Sequence, residues 1–582
     1  MSLDPIQLAL VQNRLDHVSR QMGWVMTRTA RSPIFNQSHD FSCFITDPAG
    51  TLVSQADGIP IHTGGGGFAV RALLAAFEDD IGEGDVFLLN DPYVAGGNHL
   101  PDWVIARPIF VDRTLVGFCC NRAHQSDIGG GAAGTYNAEA TEIFHEGVRL
   151  PPLKLIEAGR IRQDLWNLLL LNSRTPDLQD GDLRAMVGST RIGGERVADL
   201  IAELGVEAGL AYFEGILDHA DRRFRAALAE LPDGRYQATE VIDNDCFEFR
   251  DITICLALTV ANDTVHVDFT GSDGQILGFK NSSLANTYSA VYMALASYFE
   301  PDLPRNEGTF RGVEITAPEG SIVNPRPPAP VTMCTVFVAH EIVHAVWKAL
   351  AEADPVRSCA GWAKSIHSVT AGGIGTARPF VLYHWHAMPG GGATGNRDGF
   401  NTIGHLIALG GLHLPNAETY EQVYPIRIER QEFRCDGGGP GEFRGGSGID
   451  YQARVLAAGE HTFRGEGVGA PSGFGIAGGQ AGLGGSITVY PEGQADFEAP
   501  KYGKRNLPPV QIAAVSPGGG GWGDPLRRDP EHVLRDVRDG LVSAAAARQV
   551  YGVVLDVAGR QVDNDATIDL RIRLSQERGE TP

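Results

Sequence analysis

Two loop segments concentrate the side chains that can do chemistry: Asn90-Asp91-Pro92-Tyr93-Val94-Ala95-Gly96-Gly97-Asn98-His99-Leu100-Pro101-Asp102, and Arg122-Ala123-His124-Gln125-Ser126-Asp127-Ile128-Gly129-Gly130. They hold two histidines and three carboxylates on glycine-rich loops. Imidazole and carboxylate together suit zinc, manganese or iron(II), with a position left open. Isolated His and Asp residues on loops are also ordinary turn and surface residues, so a scaffold must bring these together.

The sequence supplies one. Trp103–Val111 and Leu115–Asn121 read as a hairpin around Asp112-Arg113. That turn sets Asp102 opposite residue 123, with His124 one step away. Facing Cβ atoms lie about 4.5–5.5 Å apart, diagonal ones about 7–8 Å. His99 enters three residues before Asp102. A fourth ligand must come from elsewhere, and Asp40 is preferred. It begins a second hairpin, Phe41–Thr46 with Thr51–Ala56, turning at Asp47-Pro48-Ala49-Gly50. Asp57, opposite it across that hairpin, and His39 and His62 are alternatives. Asp127 reads as a turn residue or as a partner orienting His124, not as a ligand.

Further elements frame these hairpins. Asp4-Pro5-Ile6-Gln7 caps a helix whose apolar face is Leu8, Val11, Leu15, Val18, Met22 and Val25, ending before Ser32-Pro33. Asp85–Leu89 is a short strand. Residues 160–231 are helical, with Gln163–Leu171 and a long run from Gly193 to Leu231. Strands return over 240–275, and Asn281–Phe299 and Phe337–Glu352 look like buried helices. The last third is glycine-rich with strands Tyr424–Arg434, Ile449–Leu456 and Ile487–Tyr490, then helices near Pro530–Gly540 and Ser543–Tyr551. The expected fold is α+β: a large mixed, glycine-rich, multi-layer architecture with an N-terminal helix and β-hairpins carrying the metal site. Four regions are expected: 1–155 around the site, 156–235 helical, 236–425 central α/β, and 426–582 glycine-rich β with C-terminal helices.

Composition narrows the function. The 582 residues carry 48 Lys and Arg against 71 Asp and Glu, a net charge of −23, which disfavours nucleic acid or an anionic membrane as partner. No run of about 18 apolar residues is present to span a bilayer, and the N-terminus reads as a mature helix rather than a leader. Eight cysteines without CxxC suit buried thiols in a reducing cytoplasm. Glycine is the outlier, 73 residues in clusters at 64–67, 129–131, 390–392, 437–448, 473–485 and 518–521, which signals tight turns and close backbone approach.

Several familiar signals are absent. There is no GxxxxGK[ST], no GxGxxG between a strand and a helix, and no GxSxG. Glycine clusters alone do not establish nucleotide binding. Trp385 between His384 and His386 reads first as structural. Asn416, Glu418, Glu421 and Arg444 read as interface or glycine-core residues as readily as catalytic ones.

Ordered motifs extend beyond the two loops: Ser38-His39-Asp40-Phe41-Ser42-Cys43, Asp268-Phe269-Thr270-Gly271-Ser272, Asn306-Glu307-Gly308, Asp436-Gly437-Gly438-Gly439-Pro440-Gly441 with Arg444-Gly445-Gly446, and Ser516-Pro517-Gly518-Gly519-Gly520-Gly521-Trp522-Gly523-Asp524-Pro525. With the loops, they resemble the hydantoinase B/oxoprolinase family along nearly the whole chain. The resemblance implies a β-type subunit of an ATP-dependent hydantoinase, 5-oxoprolinase or lactamase, with acetone and acetophenone carboxylase subunits more distant. It implies that His99, Asp102 and His124, joined by Asp40, bind a divalent metal, zinc first, manganese or iron as alternatives. Asn98 departs from the pattern, where a small or hydroxyl residue is expected. ATP, and bicarbonate if carboxyphosphate is made, would be handled by an ATP-binding hydantoinase A-like partner with an actin- or acetate-kinase-like fold, in an (αβ)2 hetero-oligomer. The substrate would be a small cyclic amide. ATP-dependent carboxylation of a ketone is the alternative, and a scaffold whose metal only stabilises the fold is the non-enzymatic reading.

Overall fold

The computed structural model describes residues 3–62, 64–299, 302–376, 378–556 and 559–578, the side chains of Ala56 and Asp57 excepted. The chain divides into two compact units: Met1–Ala353 with Thr370–Leu382 and Gly411–Pro415, and Asp354–Val369 with Tyr383–Gly410 and Asn416–Pro582. The helical region does not stand apart, because its longest helix packs on the strands of the N-terminal region.

Unit 1 begins with α1 (Pro5–Thr29), capped as expected by Asp4, whose side chain accepts from the Ile6 N–H at 3.0 Å. A short helix, α2 (Pro33–Asn36), leads into β1 (Phe41–Thr46) and β2 (Leu52–Gly58). Helix α3 (Gly65–Phe77) follows, then β3 (Val86–Leu89), β4 (Asp102–Val111), β5 (Thr114–His124), β6 (Leu153–Glu157) and β7 (Arg160–Ile161). These seven strands form one antiparallel sheet in the order β2-β1-β5-β4-β3-β6-β7. Helices α4 (Gln163–Leu171), α5 (Pro176–Leu204) and α6 (Val206–Leu228) come next. The expected run from Gly193 to Leu231 is thus two helices, broken at Gly205, whose φ of 83° no helix holds.

The sheet is covered on both faces. Phe44, Phe87, Leu89, Val104, Ala106, Phe118 and Cys120 meet Ala69, Val70 and Leu73 of α3. On the other face α5 lies close: a Cβ at Gly193 would sit 2.3 Å from Met22 Sδ and 3.0 Å from Cys119 Sγ. Strand alternation therefore aims Phe118, Cys120 and Arg122 toward α3, and Cys119 and Asn121 toward α5.

The β4–β5 hairpin turns at Asp112 and Arg113, with φ of 49° and 66°, the left-handed pair a two-residue hairpin uses. Its register differs from the expected one. Phe110 pairs with Leu115, but Ile109 pairs with Gly117, so Val116 is an extra residue. Beyond this bulge Asp102 stands directly opposite His124, not residue 123.

Unit 1 also holds a four-stranded sheet, β8 (Gly234–Asn244), β9 (Phe249–Ala261), β10 (Thr264–Asp268) and β11 (Val313–Thr316), in the order β11-β10-β9-β8. Helices α7 (Leu284–Tyr298) and α8 (Ala339–Ala353) pack together, α8 lying on β8 and β9. The segment Thr332–Ala353 has the length and apolarity to cross a bilayer, contrary to the reading that none does, but 94% of its apolar 18-residue stretch is buried inside the protein.

In unit 2 the strands Ile426–Phe433, Ile449–Val455, Val510–Val515, Ser486–Pro491 and Phe497–Glu498 form a five-stranded sheet in that spatial order. The glycine clusters bundle extended backbones beside it. Gly439 N–H donates to Gly519 O, Gly519 N–H to Gly446 O and Gly446 N–H to Gly391 O, at 2.8–3.0 Å. A Cβ at Gly518 would lie 1.9 Å from Gly437 O, so no side chain fits. Arg444 and Arg528 close the bundle on Asp536, 3.5 and 2.7 Å away.

Candidate functional site

Three of the expected residues, His99, Asp102 and His124, come together at the open end of the β4–β5 hairpin, inside unit 1. Asp102 is 1% exposed and His124 3%. His99 lies on the loop before β4, with Nε2 3.0 Å from Asp102 Oδ1. Its ring centroid is 5.3 Å from that of His124. Asp40 arrives through the neighbouring strand: the His124 N–H donates to the Asp40 carbonyl at 3.1 Å. Of the alternatives, His62 reaches Asp102, with Nε2 3.3 Å from Oδ2. The His39 ring instead lies on His413, centroids 4.3 Å apart. The Asp57 side chain falls outside the described residues.

Local structure fixes the loop carrying His99. Asn90 donates to Leu100 O at 2.7 Å and accepts from Leu150 N–H at 2.7 Å, and Arg149 binds Asp91 at 2.6 Å. A Cβ at Gly97 would lie 2.0 Å from Asn90 O, so glycine is required there. Asn98, the departure from the family pattern, accepts from Arg122 Nη1 at 2.9 Å and donates to Ile61 O at 3.2 Å. Arg122 is fully buried, also donates to Gly65 O at 2.9 Å, and is pushed down to about 10 by burial.

The proton positions follow from hydrogen-bond partners. His99 Nδ1 lies 2.6 Å from Thr332 O, and a carbonyl only accepts, so Nδ1 carries the proton. His99 Nε2 faces Asp102 Oδ1 at 3.0 Å. Burial works to raise the Asp102 carboxyl, but His99 and His62 beside it outweigh burial and hold it well below the usual range. Among the described residues, His99 Nε2 and both Asp102 oxygens are buried without a hydrogen bond of proper geometry. Leaving such groups unmatched costs about 1–3 kcal/mol each.

Of its two expected roles, Asp127 takes the turn. Its carboxylate accepts from the N–H groups of Gly129, Gly134 and Arg174 at 3.1, 3.1 and 2.9 Å and pairs with Arg174 Nη1 at 3.1 Å. It ties the loop down. The group at His124 is Tyr136, whose phenol oxygen lies 3.0 Å from Nε2. Sequence reading missed Tyr136, Thr332 and Glu146, since no motif marks them. Glu146 accepts from Val331 and Thr332 N–H at 3.0 and 2.7 Å, bracing the segment that holds His99.

Two other histidine groups fall short of a site. His340-Glu341-Ile342-Val343-His344 has the H-E-x-x-H spacing of zinc helices. Here Glu341 caps the Val338 N–H at 2.5 Å, and His340 packs edge-on against His344 at 4.2 Å. In unit 2, Trp385 stacks on Tyr383 and His386 on Tyr451. Burial pushes His384 and His461 down to about 3 and about 4, so both are neutral at ordinary pH. Among the described residues no three His, Cys, Asp or Glu side chains are placed to hold a metal ion.

The fold is mixed α+β, with a buried His–Asp cluster at a hairpin end. The profile of the family hydantoinase B/oxoprolinase matches residues 4–525, and the chain belongs to that family. It is 35% identical to the beta subunit of caprolactamase from Pseudomonas jessenii over 97% of this chain and 98% of that one. It is 30% identical to a putative D-/L-hydantoinase B-type subunit of a Pseudomonas species, over 98% of both. The crystal structure of ATP-dependent caprolactamase from Pseudomonas jessenii superposes with a TM-score of 0.88 at 32% identity, covering 98% of this chain and 100% of that one. A nucleotide-free acetone carboxylase matches at a TM-score of 0.89 and 21% identity, over 100% of this chain and 84% of that one, which shows a shared fold.

Proposed function

We propose that this chain is the metal-binding β-type subunit of an ATP-dependent cyclic-amide amidohydrolase. The observation that carries the reading is the end-to-end likeness, in sequence and fold, to a caprolactamase subunit. An unstrained lactam or hydantoin ring resists hydrolysis, so coupling its opening to ATP is chemically sensible. An ATP-binding, hydantoinase A-like partner would activate the amide by phosphorylation or through carboxyphosphate, in an (αβ)2 assembly.

Asp40, His99, Asp102 and His124 would hold a divalent metal, zinc first. The donor types, imidazole and carboxylate, suit one. Ligand atoms at about 2.0–2.2 Å from one ion lie roughly 3.0–3.5 Å from each other. The 3.0 Å between His99 Nε2 and Asp102 Oδ1 has that spacing, without hydrogen-bond geometry. Thr332 O holds the opposite nitrogen of His99, the usual support behind a metal-bound imidazole. Bound there, the ion supplies Lewis acidity toward an amide or water oxygen. The chain's own residues orient the imidazoles through Thr332 and Tyr136, and the buried Arg122–Asn98 contact fixes the loop.

The test is a reconstitution. The chain with its ATP-binding partner, ATP and a panel of lactams, hydantoins and 5-oxoproline should release a ring-opened amino acid, and either protein alone should not. A β-keto acid from a ketone and bicarbonate would instead select the carboxylase reading. Elemental analysis should find about one transition metal per chain; full activity without metal would remove the site from the proposal.

A further inference from the structure

We infer that the outer edge of strand Ile426–Phe433, in unit 2, pairs with the same edge of a second copy of this chain, antiparallel, across a two-fold axis between Glu429 and Arg430. Such pairing needs neither the metal nor the reaction proposed above. It would give the (αβ)2 assembly a contact between its β-type chains.

The strand is the last in its sheet, and among the described residues only Ile449–Val455 pairs with it. An open edge of this length is a template for another strand. It reads Ile426-Arg427-Ile428-Glu429-Arg430-Gln431-Glu432-Phe433. Turned end for end, every charge changes sign. A second copy centred between Glu429 and Arg430 therefore sets Arg427 opposite Glu432 and Glu429 opposite Arg430, twice each by symmetry. Sliding by one residue sets Glu429 on Glu429 or Arg430 on Arg430. Sliding by two sets Arg427 on Arg430 or Glu429 on Glu432. Like charges directly opposite are destabilising, so the charges select the one register. An edge charged with one sign repels its own copy; this edge matches its own.

The four charges share a face. Glu429 is the extra residue of a bulge and pairs with Arg454 at 3.3 Å, while Arg430 pairs with Asp450 at 3.1 Å. Arg454 and Asp450 alternate with buried Tyr451, Ala453 and Val455, so they stand on the outer face of the sheet. Arg427 and Glu432 lie beside them in register. A two-fold axis normal to the sheet keeps that face on one side in both copies.

The ends of the edge are apolar. Phe433 of one copy would face Ile426 of the other. Near Ile426 stand Val423, closing the helix Ala417–Val423, and Leu456, whose N–H donates to Pro425 O at 2.8 Å. Phe433, Val423 and Leu456 are each about half exposed. The Ile428 N–H donates to Glu421 Oε1 at 2.7 Å, and in the pair a backbone carbonyl of the second copy takes the place of Glu421.

Sedimentation equilibrium of the purified full chain should show a monomer–dimer equilibrium, since one strand pair is a small interface. Arg427→Glu and Glu432→Arg each set like charges opposite and should raise the dimer Kd roughly tenfold or more. The double variant Arg427→Glu/Glu432→Arg restores opposite signs and should return near the wild-type value. Both side chains are exposed, and thermal melts beside wild type check the fold. In a Cys435→Ser background, Arg427→Cys/Glu432→Cys should give a disulfide-linked dimer on mild oxidation. Facing residues lie about 5 Å apart, within disulfide reach, whereas these two positions lie about 16 Å apart along one strand. A wild-type chain that stays monomeric up to about 100 μM would overturn the inference. So would a Kd that neither single reversal moves, a double reversal that restores nothing, or the absence of the cross-link. None of these outcomes bears on ring opening by the reconstituted enzyme, which is tested separately.

Discussion

Tyr136 places its phenol oxygen 3.0 Å from Nε2 of His124, with the two rings only 14° from parallel. Both are buried, and the residue before Tyr136, Thr135, holds a φ of 69° to bring it there. A hydroxyl so placed fixes the tilt of the imidazole. Replacing Tyr136 with Phe keeps the packed ring and removes that hydrogen bond. Turnover or metal affinity should fall roughly 10- to 100-fold, while the melting temperature moves little. Steady-state kinetics, metal titration and thermal melts on one preparation check all three.

His124→Ala removes a nitrogen and leaves two carboxylates and His99 around the position of the ion. Carboxylates sharing a pocket without a cation repel one another. Activity and melting temperature should both drop, and excess metal should restore part of the second by mass action. If the variant keeps full metal and full turnover, His124 is not a ligand.

Asp127→Asn should behave differently. Its carboxylate holds Arg174 and three backbone N–H groups, so the loss falls on the loop Gly129–Gly134. A stability loss of about 1–3 kcal/mol is expected, with metal content unchanged. Denaturant melts beside elemental analysis separate this from a role at the metal.

Glu146 makes stability depend on pH. Burial pushes its carboxyl up to about 8 from 4.5, against the pull of the Val331 and Thr332 N–H groups. Between those values the folded state keeps a proton that the unfolded chain has released. The contribution is full below 4.5 and is lost as pH rises through about 8. Glu146→Gln has no proton to lose. It should start less stable near about pH 5, and its deficit in melting temperature should narrow toward about pH 9. A constant gap across that range would show Glu146 ionised in the fold throughout.

By itself the sequence determined the local elements and the approach of a few polar side chains to one another. The Asp4 cap, helix Gln163–Leu171, the turn at Asp112-Arg113 and the approach of His99, Asp102 and His124 were legible, because caps, periods and tight turns are properties of neighbouring residues. The glycine clusters announced close backbone contact, since only the missing Cβ allows it. Tertiary structure decided the rest. A one-residue bulge at Val116 moved Asp102 from residue 123 to His124, which alternation alone does not reveal. His62 came to Asp102 across 40 positions of sequence, and Thr332 to His99 across 233. Asp127 went to Arg174, although its spacing from His124 suited an orienting role. Such contacts depend on how α3 packs on the seven-stranded sheet and α7 on α3 and the Pro60–His62 turn, and packing at that range leaves no periodic trace in the chain.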